Sequence, residues 1–471
     1  MSQLPVDCLC EILEYLEGDM ITLHSCLLVN HLWCEVSVRI FWRNIYDYST
    51  SNFHTLIACL PTESKEILSK NGIIISTPNS KLPMFNYASF CRVLSADQIY
   101  YKLVQILKKQ QTNSPLNLNN NKHILVQEIL KLYMSQIGSL KELEFRECPN
   151  INFYFYPRVK DCLKNLSKLI CSSDISSEFF YQLSQVCHNI LSLNLSVEKV
   201  ISKGLTDLIS AQENLKYLDI DYCSSVDFKD IISSLANPNK ISKLFFYTLQ
   251  PKLLSFIIKF TNLQELELLL DYHKCFKDFE ELQYVIFPKL QILKIRSLSS
   301  KYKLLIKFLE NNGKNLKECY IGNYRDKTDN SFNLAIAKFC PNLRKLSIGF
   351  KSSELETLKI VYNSCQYLES IKIWCGDRFL SENEALEAFV KYSHQNIYEL
   401  VLYRVYSTQS KLLPEELESF FISWINRVPQ KPLSLIIIDN YNNNTLDVES
   451  MEIINKYIDL GVVKKFKLAN V

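Results

Sequence analysis

Glycine is scarce in this chain, nine residues in 471, and none is spaced as the phosphate-cradling loop of a dinucleotide or Walker site. No two of the sixteen cysteines have the two-residue separation of a zinc ligand pair, and their density is too low for a disulfide scaffold. Long apolar runs are missing as well. No stretch nears the roughly eighteen residues of a membrane span, so no membrane association is expected. Charge of one sign is also lacking: Lys and Arg number 53 against 50 Asp and Glu, a net +3. That balance is too mild over this length to demand nucleic acid, and none is expected as a partner. The opening Met1-Ser2-Gln3-Leu4 has no basic segment and no signal-like apolar run. Reduced thiols and a place in the cytoplasm and/or nucleus are therefore expected. His273-Lys274-Cys275 is the nearest approach to a Cys/His constellation and has no third partner nearby. Cys8 and Cys10 fall on opposite sides of a helical turn and read as packing. No catalytic residue, metal or cofactor is expected.

What is present is strongly patterned. Leu9, Ile12, Leu13 and Leu16 stand at i, i+3, i+4 and i+7, one stripe of a helix. Pro5 suits a first helical turn, where its missing N–H costs nothing, and Asp7 and Glu11 place negative charge near the helix start. Gly18-Asp19 breaks the helix, a second apolar stretch runs through Leu23, Leu27, Leu28 and Val29, and Trp33 follows one turn later. Residues 1–46 carry six acids against Arg39 and Arg43, a net −4 that leaves the remainder near +7. So short a bundle buries too little surface to be stable alone, which favours a partner that completes its core.

The order Leu4-Pro5, Ile12-Leu13, Val29-Asn30-x-x-Trp33 and Phe41-Trp42 resembles the F-box, the module by which substrate receptors hang on the Skp adaptor of a cullin ubiquitin ligase. The resemblance covers about a tenth of the chain. It departs from the family at His31-Leu32, where an Arg or Lys is usual. It implies that Leu4, Pro5, Leu9, Ile12, Leu13, Leu16, Val29 and Trp33 form the adaptor contact.

From residue 140 onward the pattern Leu-x-x-Leu-x-Leu recurs. Clear copies begin at Leu140, Leu215, Leu263, Leu290, Leu343 and Leu368, and weaker ones at Leu166, Ile190, Ile241, Leu316, Ile397, Leu433 and Val463. The spacing of about 27 residues lies in the leucine-rich-repeat range. Cys187, Cys340 and Cys365 each stand three residues before a start, with Phe260 and Phe287 in the same slot; Cys148 and Cys223 stand eight residues after one. This resembles the cysteine-containing leucine-rich repeat found behind many F-boxes. As small hydrophobes, these cysteines are expected buried and reduced.

The expected fold is α/β: a leucine-rich-repeat solenoid of about thirteen repeats over 136–471, a curved parallel sheet with outer helices, preceded by a small all-α F-box bundle over 1–46. Helical spacing over Asp227–Leu235, Leu304–Asn311, Phe332–Phe339 and Ser353–Asn363 supplies outer helices. A helical connector spans 47–135. It holds helices near Glu63–Ser69 and Tyr100–Lys108, an Asn/Gln/Lys-rich loop near 108–122, and a helix over Ile124–Ile137 placed to cap the sheet edge.

With no site for chemistry, function falls to recognition. Strand side chains alternate, so residues flanking the last two apolar positions face outward from the concave sheet. They collect Tyr217, Asp219, Asp221, Phe245, Tyr247, Lys294, Arg296, Tyr320, Lys372, Trp374 and Tyr403, including the Tyr, Trp and Arg that anchor interfaces. The resemblance implies a non-catalytic substrate receptor of an SCF-type ubiquitin ligase, joined through the Skp adaptor to a cullin-RING ligase. Its substrate would be an unknown protein, ubiquitinated for proteasomal degradation. The alternative is a scaffold or binding protein that uses the box without directing ubiquitination.

Overall fold

A computed structural model describes residues 4–73, 83–110, 118–146, 156, 158–222, 229–248, 254–270, 279–296, 302–322, 329–405, 412–427, 431–439 and 446–470. Cys148, Cys223, the His273-Lys274-Cys275 triplet and residues 111–117 of the expected Asn/Gln/Lys-rich loop lie outside the described residues, while the loop's expected flanks, 108–110 and 118–122, are helical. The chain divides into two compact units, Met1–Asn237 and Pro238–Val471.

The first unit opens with three helices, α1 (Val6–Glu14), α2 (Met20–Cys26) and α3 (His31–Phe41). Their ends follow from local chemistry. Pro5 precedes α1 as its N-cap, one position ahead of the expected first turn. Gly18 takes φ +90 where the chain leaves α1, a conformation open to glycine. The Asp19 carboxylate then accepts the Thr22 N–H at 3.1 Å and caps α2. Asn30 caps α3 by accepting the Trp33 N–H at 3.0 Å, which is the physical content of the Val-Asn-x-x-Trp step.

Behind the bundle come α4 (Thr50–Ala58), α5 (Thr62–Lys70), α6 (Ala96–Gln110) and α7 (Leu118–Gln136). α5 and α6 contain the expected helices near Glu63–Ser69 and Tyr100–Lys108, and α7 begins earlier than the expected Ile124–Ile137 helix and ends one residue short of it. The strands β1 (Val93–Ser95), β2 (Glu142–Phe145), β3 (Lys168–Ser172), β4 (Ser192–Val197) and β5 (Tyr217–Tyr222) pair in that order, all parallel. The short helices Val159–Leu163, Ser177–Ser184 and Lys203–Ser210 connect β2 through β5. Inward residues such as Leu143, Phe145, Leu193, Leu195, Leu218 and Ile220 are buried, and their neighbours along each strand are not.

One device repeats from rung to rung along the first unit. The carbonyl just after the first apolar position accepts two N–H groups from the next rung: Arg92 from Lys141 and Glu142, Lys141 from Ser167 and Lys168, Ser167 from Leu191 and Ser192, and Leu191 from Lys216 and Tyr217. The same series extends backward. Arg43 accepts from Arg92 and Val93 at 2.8 and 3.2 Å, and Asn44 bridges Val93 in parallel. Trp42-x-x-Ile45 and Cys91-x-x-Leu94-x-Ala96 thus occupy repeat register, every one of these five side chains buried. Two rungs precede the first Leu-x-x-Leu-x-Leu copy. The segment meeting the sheet edge is the end of the bundle, not the Ile124–Ile137 helix, which packs beside α5 and α6.

The second unit holds β6 (Lys243–Thr248), β7 (Glu265–Leu270), β8 (Ile292–Arg296), β9 (Glu318–Ile321), β10 (Lys345–Gly349), β11 (Ser370–Cys375), β12 (Glu399–Arg404), β13 (Leu433–Asp439) and β14 (Val463–Asn470), each parallel to the next. Helices Tyr302–Asn312, Asn330–Phe339 and Leu355–Ser364 contain or closely match the expected ones. Helix Lys229–Ser234 of the first unit lies within the fourth. Every expected repeat start carries a strand, with one slip of register. Ser434 pairs with Glu399 and Lys465, so Leu435 and Ile437 point inward and the start belongs at Pro432 rather than Leu433. A one-residue slip exchanges the faces, and Ile436 and Ile438 stand on the open side.

Buried amides and thiols staple neighbouring rungs. Gln212 accepts the Ile190 N–H at 3.0 Å and donates to the Cys187 carbonyl at 2.6 Å. Asn312 does the same for Phe287 and Val285, at 2.7 and 2.8 Å. The Cys187 thiol donates to the Leu163 carbonyl at 3.2 Å and that of Cys365 to Cys340 at 3.4 Å. Burial pushes the thiols of Cys187, Cys319 and Cys365 up to about 12. At pH 8 only about one such thiol in ten thousand is ionised. Iodoacetamide at that pH is expected to label the exposed Cys8 and to spare these three until denaturant is added. Rapid native labelling of Cys187 or Cys365, read by peptide mass spectrometry, contradicts that packing.

Candidate functional site

The bundle divides its apolar residues between an interior and a surface. Leu9, Leu13, Leu23, Cys26, Val36 and Ile40 form the buried core, and Leu16 and Trp33 pack partly against it. Of the eight side chains expected at the adaptor contact, Leu9 and Leu13 are therefore interior. Each contributes roughly 1.5–3 kcal/mol to holding the bundle together. Leu4, Pro5, Ile12 and Val29 are exposed. So are Val6, Tyr15, Ile21 and Leu28, with Tyr15 at 92%, Ile21 at 83% and Leu28 at 77%. Sequence reasoning missed these four. The signal was available: Ile12 sits on the flank of the Leu9/Leu13/Leu16 stripe, and Tyr15 continues that flank at i+3.

Arg43 ties this bundle to the rungs behind it. Its guanidinium grips both Glu14 oxygens at 2.5 and 2.6 Å and reaches Glu17 at 3.1 Å. That side-chain hydrogen bond from Arg43 holds the Glu14 carboxyl below its ordinary range. The same residue's carbonyl receives the first rung, so the end of α1 and the start of the sheet share one anchor.

On the open face of the first unit the polar side chains are linked to one another. Tyr46 and Ser95 both donate to Glu144, and Arg146 pairs with Glu144 at 3.5 Å. Arg146 also donates to Ser196 at 2.8 Å and to Asn194 at 3.0 Å, and Asn194 donates to Asp219. Tyr217, Asp219 and Asp221 are half-buried beside this chain of contacts.

From β6 to β10 the charges on the open face of the second unit neutralise one another across neighbouring rungs. Glu265 pairs with Lys243 and Lys294 at 3.2 and 2.8 Å, and Glu267 with Lys294 and Arg296 at 3.3 and 2.9 Å. Glu318 pairs with Lys345 at 3.1 Å and accepts from Tyr320 at 2.9 Å. Lys294 and Arg296 therefore come with their own counter-ions. Phe245 and Tyr247 remain half-buried on β6. Lys372 lies 4.4 Å over the Tyr403 ring, and burial, with Arg296 nearby, lowers its ammonium below the ordinary lysine range.

Trp374 and Tyr403 are not surface anchors as expected. With Phe379 and Val405 they form a buried cluster, Trp374 at 5% exposure and Tyr403 at 7%. The turn after β11 brings Phe379 edge-on to Trp374 at 5.3 Å. Gly349 makes the room: a Cβ there would lie 2.4 Å from Phe379 and 2.5 Å from Trp374. No sequence spacing signals this closure, because it depends on a turn folding back over the sheet.

Among the described residues no group of three His, Cys, Asp or Glu is placed to hold a metal ion. No described helix is long and apolar enough to cross a membrane. Residues 1–48 match the F-box-like family model. The chain carries an F-box-like domain at its head and leucine-rich repeats behind it. Among solved structures it is similar to the leucine-rich repeat-containing protein LegL7 from Legionella pneumophila, at 16% identity and a TM-score of 0.36 over 64% of this chain and 96% of that one. The repeat assignment rests on this chain's own strand register. The F-box-like domain thus presents exposed apolar side chains at one end of a unit whose remaining rungs begin at its own Trp42.

Proposed function

We propose that this chain is a substrate-recognition subunit of an SCF-type ubiquitin ligase, binding a Skp-type adaptor through its F-box-like domain and a protein substrate through its repeats. The observation that carries the reading is the exposed apolar surface of that domain. Leu4, Val6, Ile12, Tyr15, Ile21, Leu28 and Val29 all stand in solvent within one short helical bundle. Exposed apolar side chains gathered on one small module are the mark of an interaction site, and the F-box-like match of residues 1–48 supports a Skp-type adaptor as the partner.

In this reading the chain does no bond-making itself. Ubiquitin moves from the thioester of a conjugating enzyme to a substrate lysine, and the receptor supplies proximity. Holding the lysine near the thioester turns a bimolecular encounter into an effectively intramolecular one. The shared Arg43 anchor supports this, since it fastens the docking bundle to the first rungs by hydrogen bonds rather than by a linker.

Co-expression with a Skp-type adaptor tests the proposal. The pair is expected to co-elute at one to one on size exclusion, and the chain alone to aggregate through its uncovered apolar surface. A monodisperse chain that ignores the adaptor overturns it and leaves the bundle as a cap on the sheet.

A further inference from the structure

We propose that the strand-entry edge of β8–β11 is a docking groove for an acidic peptide segment of a partner protein. This deepens the receptor reading by naming the chemistry of what the repeats bind. It concerns a different surface from the open face of the sheet, where Lys243, Lys294, Arg296 and Lys345 already have counter-ions.

The groove has a volume of about 400 Å³ and is lined by Lys289 and Gln291, by Lys314, Asn315 and Lys317, by Asn342 and Arg344, and by Tyr367. These residues flank the first apolar position of four successive rungs, whose Leu290, Leu316, Leu343 and Leu368 are fully buried. The backbone beneath is fixed by the double-acceptor carbonyls: Gln291 receives Lys317 and Glu318, Lys317 receives Arg344 and Lys345, and Arg344 receives Glu369 and Ser370. Asn315 donates to the Pro288 carbonyl at 3.0 Å and Asn342 to that of Lys314 at 2.9 Å. The cations therefore sit on a preformed frame, at rungs roughly 4.8 Å apart.

What distinguishes this cluster is its missing counter-charge. Lys289, Lys314 and Lys317 are exposed, and among the described residues none of the three makes an ion pair. Arg344 alone is engaged, by Glu369 at 3.0 Å. Like charges gathered without partners repel one another and raise the local potential, which an anion relieves. The type of cation selects the type of anion. A single phosphoryl group is best held by the bidentate fork of a free arginine, and the one arginine here is occupied. Lysines are flexible point charges, suited to several carboxylates spread along an extended chain whose same-side residues recur every 6–7 Å or so. Nucleic acid is disfavoured because Tyr367 is the only aromatic ring in the lining and single strands need successive stacking platforms.

The test uses the full chain, as its adaptor complex where the two co-elute and alone where the chain is monodisperse, so the groove is read whichever way residues 1–48 behave. A fluorescein-labelled peptide of glutamates is titrated at low and at physiological salt and followed by anisotropy. Matched-length probes are a singly phosphorylated neutral peptide and single-stranded RNA. The substitutions Lys289→Gln, Lys314→Gln and Lys317→Gln together are expected to weaken the acidic peptide about tenfold without changing the unfolding midpoint, since all three side chains are exposed. A control triple at Lys303, Lys307 and Lys338 on the helices is expected to leave it unchanged. Equal loss in both triples means diffuse attraction and overturns the groove. So does tighter, Lys289/Lys314/Lys317-dependent binding of the phosphorylated peptide or of the RNA, which assigns the groove to another ligand.

Discussion

Replacing Arg404 by leucine is expected to destabilise the second unit by about 3–5 kcal/mol, a large share of the roughly 5–15 kcal/mol that holds a domain together. Arg404 lies at the end of β12 and donates to Glu382 in a two-pronged contact, 2.6 and 3.1 Å, with both side chains buried. Leucine would fill much of the space and leave a carboxylate in the interior with nothing to neutralise it. Most of the expected loss comes from that orphaned charge. The pairing has a third member, because Asp439 is the register partner of Arg404 on β13 and is also buried. The double variant Glu382→Leu/Arg404→Leu should accordingly recover part of the loss but not all of it. Urea unfolding followed by the fluorescence of Trp374 and Trp424 reads both numbers. An Arg404→Leu protein with an unchanged midpoint would sink this account of the pair.

The second large effect separates folding from docking within the F-box-like domain. Leu13→Asp puts a charge into the bundle core, where truncation of a leucine alone costs about 2–5 kcal/mol, so the domain is expected to unfold. Ile12→Asp, at a side chain half in solvent, is expected to move stability by no more than about 0.5 kcal/mol and yet to abolish co-purification with a Skp-type adaptor. Limited proteolysis and adaptor pull-down, run on the same two proteins, give the contrast. If Ile12→Asp co-purifies as well as the parent, the exposed flank of α1 is not the docking surface. Charged substitutions at Leu13 and Leu16, the choice that the helical stripe suggests, would confound the two effects, since Leu13 belongs to the interior.

The repeat was legible in the sequence wherever leucine marks it, and the strands follow those marks. It was not legible where other residues do the same work. Trp42, Ile45, Cys91, Leu94 and Ala96 fill repeat positions that only burial and the Arg43 and Arg92 carbonyls reveal. Leu433-Ser434-Leu435-Ile436-Ile437-Ile438 is apolar on both faces at once, so its period is ambiguous and pairing with β12 decides the register. The surface was harder still. Whether Lys294 or Lys317 is free depends on a carboxylate one rung away, some 25 residues off in sequence, where no local pattern reaches. The division of the α1 stripe into Leu9 and Leu13 inside and Ile12 outside needs the positions of α2 and α3, which spacing alone does not supply.

The hydrogen bonds from Arg92 and Val93 to Arg43 also bear on how a truncated protein behaves. A parallel sheet has a vulnerable flank at its first strand, and here the tail of the F-box-like bundle stands against it. Removing residues 1–48, the customary control for a docking module, strips the proposed adaptor surface and at the same stroke bares the flank of β1, together with the buried faces that Trp42 and Ile45 had covered. A phenotype from such a deletion mixes lost docking with a frayed, self-associating sheet. A single exposed residue such as Ile12 is the cleaner handle.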